Sequence, residues 1–152
     1  MKKPKIADYT GFFDGACAPI NPKGHMGVGV AIFKEDEVLH THSEYIPESI
    51  LNSNNVSEYM AFCWLVEKLS AISVDKTLFI YGDSKLVVMQ MTGRWRIKEG
   101  RYKHYALKAK ALLFELCKNN TVWIEWIPRE ENWFADDLSK CELNKAVPYL
   151  AH

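Results

Sequence analysis

The chain has 152 residues, 48% hydrophobic and 25% charged, with a formal net charge of +0. These values suit one soluble globular domain spanning 1–152, long enough to bury a sizeable core. No apolar run reaches the roughly 18 to 20 residues of a membrane helix, and no apolar signal-peptide core follows the basic start Met1-Lys2-Lys3-Pro4-Lys5, so no membrane partner is expected. The four cysteines, Cys17, Cys63, Cys117 and Cys141, form no CxxC pair. They point to a reduced, cytoplasmic setting, with three of the four expected in the core; separately, a monomer is expected. A neutral total says nothing about an anionic partner, but the distribution of charge does. Arg94, Arg96, Lys98, Arg101, Lys103, Lys108 and Lys110 are offset only by Glu99, with Trp95, Tyr102 and Tyr105 interleaved.

In chain order, residues 8–17 read as a strand, followed by the turn-rich Ala18-Pro19-Ile20-Asn21-Pro22-Lys23-Gly24. Residues 26–33 form a second strand, in which Gly27 and Gly29 suggest a bulge or a close backbone approach. Residues 38–46 form a third, with polar alternation at His40, His42 and Glu44. Short turns join the three into an antiparallel meander. Residues 56–71 are the clearest helix, with Ala61, Phe62, Leu65 and Leu69 on one stripe. The apolar run 77–81 is a fourth strand, and a helix begins at Ser84. A helix over 100–118, a strand over 121–127 stopped by Pro128, and a helix over 131–141 complete the pattern. Residues 1–7 and 143–152 read as tails. The order β-β-β-α-β-α-α-β-α specifies an α/β fold with a mixed sheet.

Three carboxylates stand at telling places. Asp14 closes the first strand, Asp83 closes the fourth, and Glu58 sits at the top of the buried helical stripe. An Asp at the carboxyl end of a buried parallel strand lies where open α/β sheets place ligands. Ordinary helix capping is the competing role: Asp83 as N-cap of the helix that follows, and Glu58 paired with Asn55 in a capping box. If the first and fourth strands are parallel neighbours, the three acids meet. Their repulsion is then relieved by a divalent cation such as Mg²⁺, and two such ions support phosphodiester cleavage. Ala135-Asp136-Asp137-Leu138 offers a fourth acid, with periodicity unable to choose between Asp136 and Asp137. His25, His40, His42 and His104 show no ligand spacing, and His40 and His42 are expected to be exposed.

The motifs Asp14-Gly15-Ala16-Cys17, Asn54-Asn55-Val56-Ser57-Glu58-Tyr59-Met60-Ala61, Tyr81-Gly82-Asp83-Ser84 and Asn132-Trp133-Phe134-Ala135-Asp136-Asp137-Leu138-Ser139, in this order, resemble type 1 ribonuclease H from about residue 8 to 141. The resemblance implies a ribonuclease H-like fold, with a five-stranded mixed sheet of three antiparallel then two parallel strands, flanked by helices. It implies cleavage of the RNA strand of RNA–DNA hybrids with two Mg²⁺ (or Mn²⁺) ions, leaving 3′-hydroxyl and 5′-phosphate ends. Asp14, Glu58, Asp83 and Asp136 match the metal-binding acids, the register of the last motif selecting Asp136. Asn21, Asn54 and Asn55 match residues that contact the hybrid, including the 2′-hydroxyl that separates RNA from DNA. Ser84 and Lys85 fall where a polar substrate contact is common.

Two departures accompany the resemblance. Many members of the resembled family carry a His in the loop before the last acid that assists proton transfer or product release; here the loop Ile127-Pro128-Arg129-Glu130-Glu131-Asn132 has no His, and Arg129 is expected to take part of that role by gripping phosphate. The family's basic protrusion is shortened, and the basic aromatic segment from Arg94 to Lys110, with Arg94, Arg96 and Lys98 as its named substrate contacts, is expected to track the DNA backbone. A non-catalytic hybrid or double-stranded RNA binding module, and a same-fold nuclease or transferase of other substrate, are the alternatives.

Overall fold

The computed structural model describes residues 2–151; the outermost residues of both expected tails, Met1 and His152, lie outside the described residues. Three strands, β1 (Tyr9–Ala18), β2 (His25–Lys34) and β3 (Glu37–Ile46), form the meander. Then follow α1 (Asn54–Ile72), β4 (Thr77–Gly82), α2 (Lys85–Met91), α3 (Lys103–Asn119), β5 (Thr121–Trp126) and α4 (Trp133–Ala146). Short 3₁₀ turns at Arg129–Asn132 and Pro148–Ala151 bracket α4. The five strands lie in the order β3-β2-β1-β4-β5. The β1–β2 and β2–β3 pairs are antiparallel, and the β1–β4 and β4–β5 pairs are parallel.

The two-residue period of β2 divides the molecule into layers. Val28, Val30 and Ile32 point into the main core with Phe13 of β1 and with Phe62, Leu65 and Leu69 of α1. Gly27 and Gly29 face the opposite way, under α4. A Cβ on Gly27 would lie 1.8 Å from the Ser139 carbonyl oxygen, and one on Gly29 would lie 2.3 Å from that of Ala135. The absence of side chains there lets α4 lie directly on the sheet, which brings its acidic first turn to the end of β1.

Several expectations change in detail. Ser53, not Asn55, caps α1: its hydroxyl accepts from the Val56 N–H at 3.1 Å. Ser84, not Asp83, caps α2 through the Val87 N–H at 3.3 Å. Both acids are thereby released from capping. Residues 143–151 are not a tail, because Leu143 and Val147 extend the buried stripe of α4 and are 2% and 7% exposed. Nor is the described part of 1–7 loose: Lys3 Nζ donates to Tyr81 Oη at 2.7 Å, pairs with Glu125 at 3.0 Å and lies over the Phe79 ring. Of the cysteines only Cys63 is buried; Cys117 and Cys141 lie on exposed helix positions. His42 is not a free strand residue either, since it stacks on Trp64 with ring centroids 4.3 Å apart and bonds Glu44.

Among the described residues, no helix is long and apolar enough to cross a membrane. Gly27→Ala should destabilise the fold by about 1–3 kcal/mol, the range for overpacking against a fixed neighbour. Urea unfolding measures this, and an unchanged midpoint would show that α4 does not rest on β2 as described.

Candidate active site

The parallel ladder between β1 and β4 ends at the pair Phe13–Gly82. The next residue on each strand is an acid, so Asp14 and Asp83 emerge side by side. Although β1 continues past Asp14, it does so paired with β2 alone. Glu58 arrives from the first turns of α1, which passes close over β1 at Gly15. A Cβ there would lie 2.4 Å from the backbone nitrogen of Glu58. Asp14, Glu58 and Asp83 each place a carboxylate oxygen within 4.8 Å of the others. Asp14 and Glu58 are 5% and 4% exposed.

The cluster is electrostatically costly without a counter-ion. Burial, then the Asp83 charge, pushes the Asp14 carboxyl up to about 8 from an ordinary 3.8. Burial, followed by repulsion from Asp14, holds Glu58 well above the usual carboxylate range. Glu58 Oε2 is buried with no hydrogen-bond partner among the described residues. A buried carboxylate with an unpartnered oxygen, clustered with two other acids, could hold a cation. The donors are all oxygens, which suits Mg²⁺ or Mn²⁺ rather than a softer metal.

The neighbours fix the cluster. Asn132, almost wholly buried, donates through Nδ2 to the Phe13 carbonyl at 2.9 Å and reaches Asp83 Oδ1 at 3.4 Å. Trp126 Nε1 donates to the Asp83 carbonyl at 3.1 Å. Ser139 Oγ lies 2.7 Å from the Asp136 carbonyl and 3.2 Å from Asp14 Oδ2. These contacts join β1, β4 and α4 at one point.

Asp136 lines the same cleft, which has a volume of about 510 Å³. Its carboxylate is paired with Lys140 at 3.2 Å and Arg129 at 3.6 Å. Asn54, Asn55, Ser84 and Lys85 also line this cleft, and Lys85 Nζ stands 5.1 Å from the Trp126 ring centroid. Asn21 is not in the cleft wall; its Oδ1 accepts from the Asn54 N–H at 2.9 Å and braces the rim.

The basic segment divides in two. Lys103 pairs with Glu99, Lys108 pairs with Glu67, and Arg101 Nε donates to the Ile50 carbonyl. Arg94, Arg96 and Lys98 enter no ion pair among the described residues. With Trp95 they line a second cleft of about 600 Å³. Leu86 lines both clefts.

The family model described as RNase H matches residues 7–143. The chain belongs to the RNase H family. It is similar to solved RNase H1 structures, which makes it type 1 RNase H-like. LC11-RNase H1 in complex with an RNA/DNA hybrid is 33% identical, with a TM-score of 0.79 over 91% of this chain and 99% of that one. The N-terminal RNase H domain of rv2228c from Mycobacterium tuberculosis is 25% identical, with a TM-score of 0.81 over 95% and 99% of the two chains. RNase H1 from Halobacterium salinarum is 26% identical, with a TM-score of 0.76 over 90% and 98%. Among curated relatives, the bifunctional protein Rv2228c of M. tuberculosis is 31% identical over 135 residues, or 86% of this chain. The chain spans only about a third of that relative's length, 34%.

Three polar residues at this RNase H site escaped the sequence reading as site residues: Asn132, Ser139 and Lys140. Asn132 and Ser139 sit inside the last motif, and Lys140 lies one helical turn after Asp136, the spacing at which helical ion pairs form. That spacing was the available signal for Lys140.

The raised carboxyls set a pH dependence. Asp14 titrates near 3.8 when unfolded and at about 8 when folded, so between these values the native state holds a proton that the unfolded state has lost. The cluster's contribution therefore weakens stability as pH rises through that window. In chelator, Asp14→Asn should melt above the wild type at pH 8, with the gap closing toward pH 4. Added Mg²⁺ should raise the wild-type midpoint more at pH 8 than at pH 5. Thermal melts across pH check both, and equal midpoints throughout would contradict the electrostatic account.

Proposed function

We propose that this RNase H-family chain is an endoribonuclease that cleaves the RNA strand of RNA–DNA hybrids and leaves 3′-hydroxyl and 5′-phosphate ends. The observation that carries the reading is the Asp14–Glu58–Asp83 cluster, with Asp14 and Glu58 buried and Glu58 Oε2 unpartnered among the described residues. Binding of RNA/DNA hybrid by LC11-RNase H1 supports the substrate. Asp14, Glu58, Asp83 and Asp136 would hold two Mg²⁺ ions, with Mn²⁺ as a substitute. Bound there, the ions would supply an activated water and charge neutralisation at the leaving oxygen.

The chain's own residues do the positioning. Asn132 and Trp126 hold Asp83 at the end of β4, and Ser139 ties Asp14 to α4. Burial excludes bulk water from Asp14 and Glu58, which strengthens their hold on a cation. Lys85, Arg129 and Lys140 bring positive charge to the same cleft and suit the phosphates beside the reacting bond. Arg129 reaches Asp136, so it can grip phosphate where the loop has no His. Asn54 and Asn55, with Asn21 behind them, present amides for 2′-hydroxyl and base-edge contacts on the RNA strand. Arg94, Arg96 and Lys98 follow the DNA strand, their unpaired charges releasing counterions from phosphates. A monomer suffices for this arrangement, since every named group comes from one chain.

Asp83→Asn should abolish cleavage of a labelled hybrid while leaving hybrid binding intact. The loss should exceed the roughly 10- to 100-fold cost of changes outside a ligand set. Retained cleavage, or cleavage by wild type that persists in chelator, would overturn the reading. Comparison of hybrid, RNA duplex and DNA duplex as substrates separates it from a binding module and from a same-fold nuclease or transferase. Neutralising Arg94, Arg96 and Lys98 together should lower the slope of log affinity against log salt by about 1 for each phosphate no longer engaged. Arg129→Ala should slow turnover, and unchanged turnover would remove Arg129 from the mechanism.

A further inference from the structure

The segment carrying Arg94, Arg96 and Lys98 lies between α2 and α3 and has no regular secondary structure. Its start is held by backbone bonds, as the Arg94 and Trp95 N–H groups both donate to the Met89 carbonyl. Beyond Trp95 the hold passes to side chains. Gln90, buried on α2, accepts from Tyr59 Oη at 2.5 Å through Oε1. Its Nε2 donates to the Arg96 carbonyl and to Tyr102 Oη, each at 3.0 Å. Tyr102 Oη in turn accepts from the Lys98 N–H at 3.1 Å. The Tyr59 and Tyr102 rings stack with centroids 5.9 Å apart and an interplanar angle of 8°.

This chain of bonds starts at the residue next to Glu58 and ends on the backbone of the basic segment. Each capacity of the Gln90 amide is matched: the oxygen accepts from one tyrosine, and the nitrogen's two hydrogens go to a carbonyl and the other tyrosine. An apolar residue at position 90 would fill the same core space. A buried, fully matched amide instead fixes one arrangement of the groups around it.

We infer that Gln90 and Tyr102 are positioning residues that hold the basic segment at a set distance from the acidic cluster, so that one duplex engages both clefts at once. The inference rests on the hybrid-cleaving reading above. It predicts that the relay governs the grip on the substrate and not the chemical step. Two tethered contacts raise affinity only when their spacing matches the span of the ligand. Loosening the tether should therefore act on KM.

The test is steady-state cleavage of a long hybrid by Tyr102→Phe, which keeps the stacked ring and removes the hydroxyl shared by Gln90 and Lys98. KM should rise about fivefold, the size expected for one buried hydrogen bond, with kcat and the Mg²⁺ dependence unchanged. The rise should disappear on a hybrid too short to reach the second cleft. It should also shrink as salt is raised, because the segment acts through phosphate charge. Gln90→Met should show the same pattern more strongly; if it does not fold by circular dichroism, Tyr102→Phe decides alone. An unchanged KM in folded Tyr102→Phe, a fall in kcat at constant KM, or a defect equal on short and long hybrids would each overturn the inference. Wild type that cleaves no hybrid would instead overturn the functional reading on which it rests.

Discussion

Mutual repulsion among Asp14, Glu58 and Asp83 is the constraint around which the molecule is arranged. The parallel ladder of β1 and β4 stops one residue short of each aspartate, and α1 crosses β1 at a glycine to deliver Glu58. Each step brings negative charge out of water and closer to like charge. Every helix packed on this end of the sheet must be held firmly enough to resist that push. Asn132, Ser139 and Trp126 supply the resistance through bonds between elements far apart in sequence. A divalent ion bound there, as proposed above, would convert the same repulsion into attraction.

Asp136 differs from the other three acids. It is more exposed than Asp14 and Glu58, and Lys140 and Arg129 already balance its charge. Its place is set by α4, which reaches the sheet because β2 has glycines where a side chain would intervene. An acid with internal counter-ions can alternate between those partners and a metal at modest cost. Asp14 and Glu58, both buried, have no basic partner among the described residues.

Much of this was legible in the chain. The two-residue and 3.6-residue periods, the apolar run 77–81 and the turn residues between them locate the five strands and four helices. Asp14, Glu58 and Asp83 could be paired in advance, since strand ends and helix starts are readable. The choice of Asp136 over Asp137 came only from motif register, because the apolar set on α4 is too broad to orient the helix. Roles that depend on distant partners were not readable. Gln90 looks like a polar break in an apolar helix until Tyr59 and Tyr102 are seen around it. Residues 143–151 read as a tail because Leu143 and Val147 are sparse apolar marks, and only α4's seat on β2 gives them a surface to cover.

The link between Asn21 and the start of α1 has a consequence for selectivity. The Asn21 side chain holds the Asn54 N–H, Lys23 N–H donates to the Asn52 carbonyl, and Asn52 Nδ2 ties the Gly24 and Pro47 carbonyls together. The lip of the cleft is thus a stiff gauge, set before any guest arrives. On the hybrid-cleaving reading proposed above, a duplex whose groove matched this lip would enter with little loss of conformational freedom, and one of different groove width would have to strain these bonds.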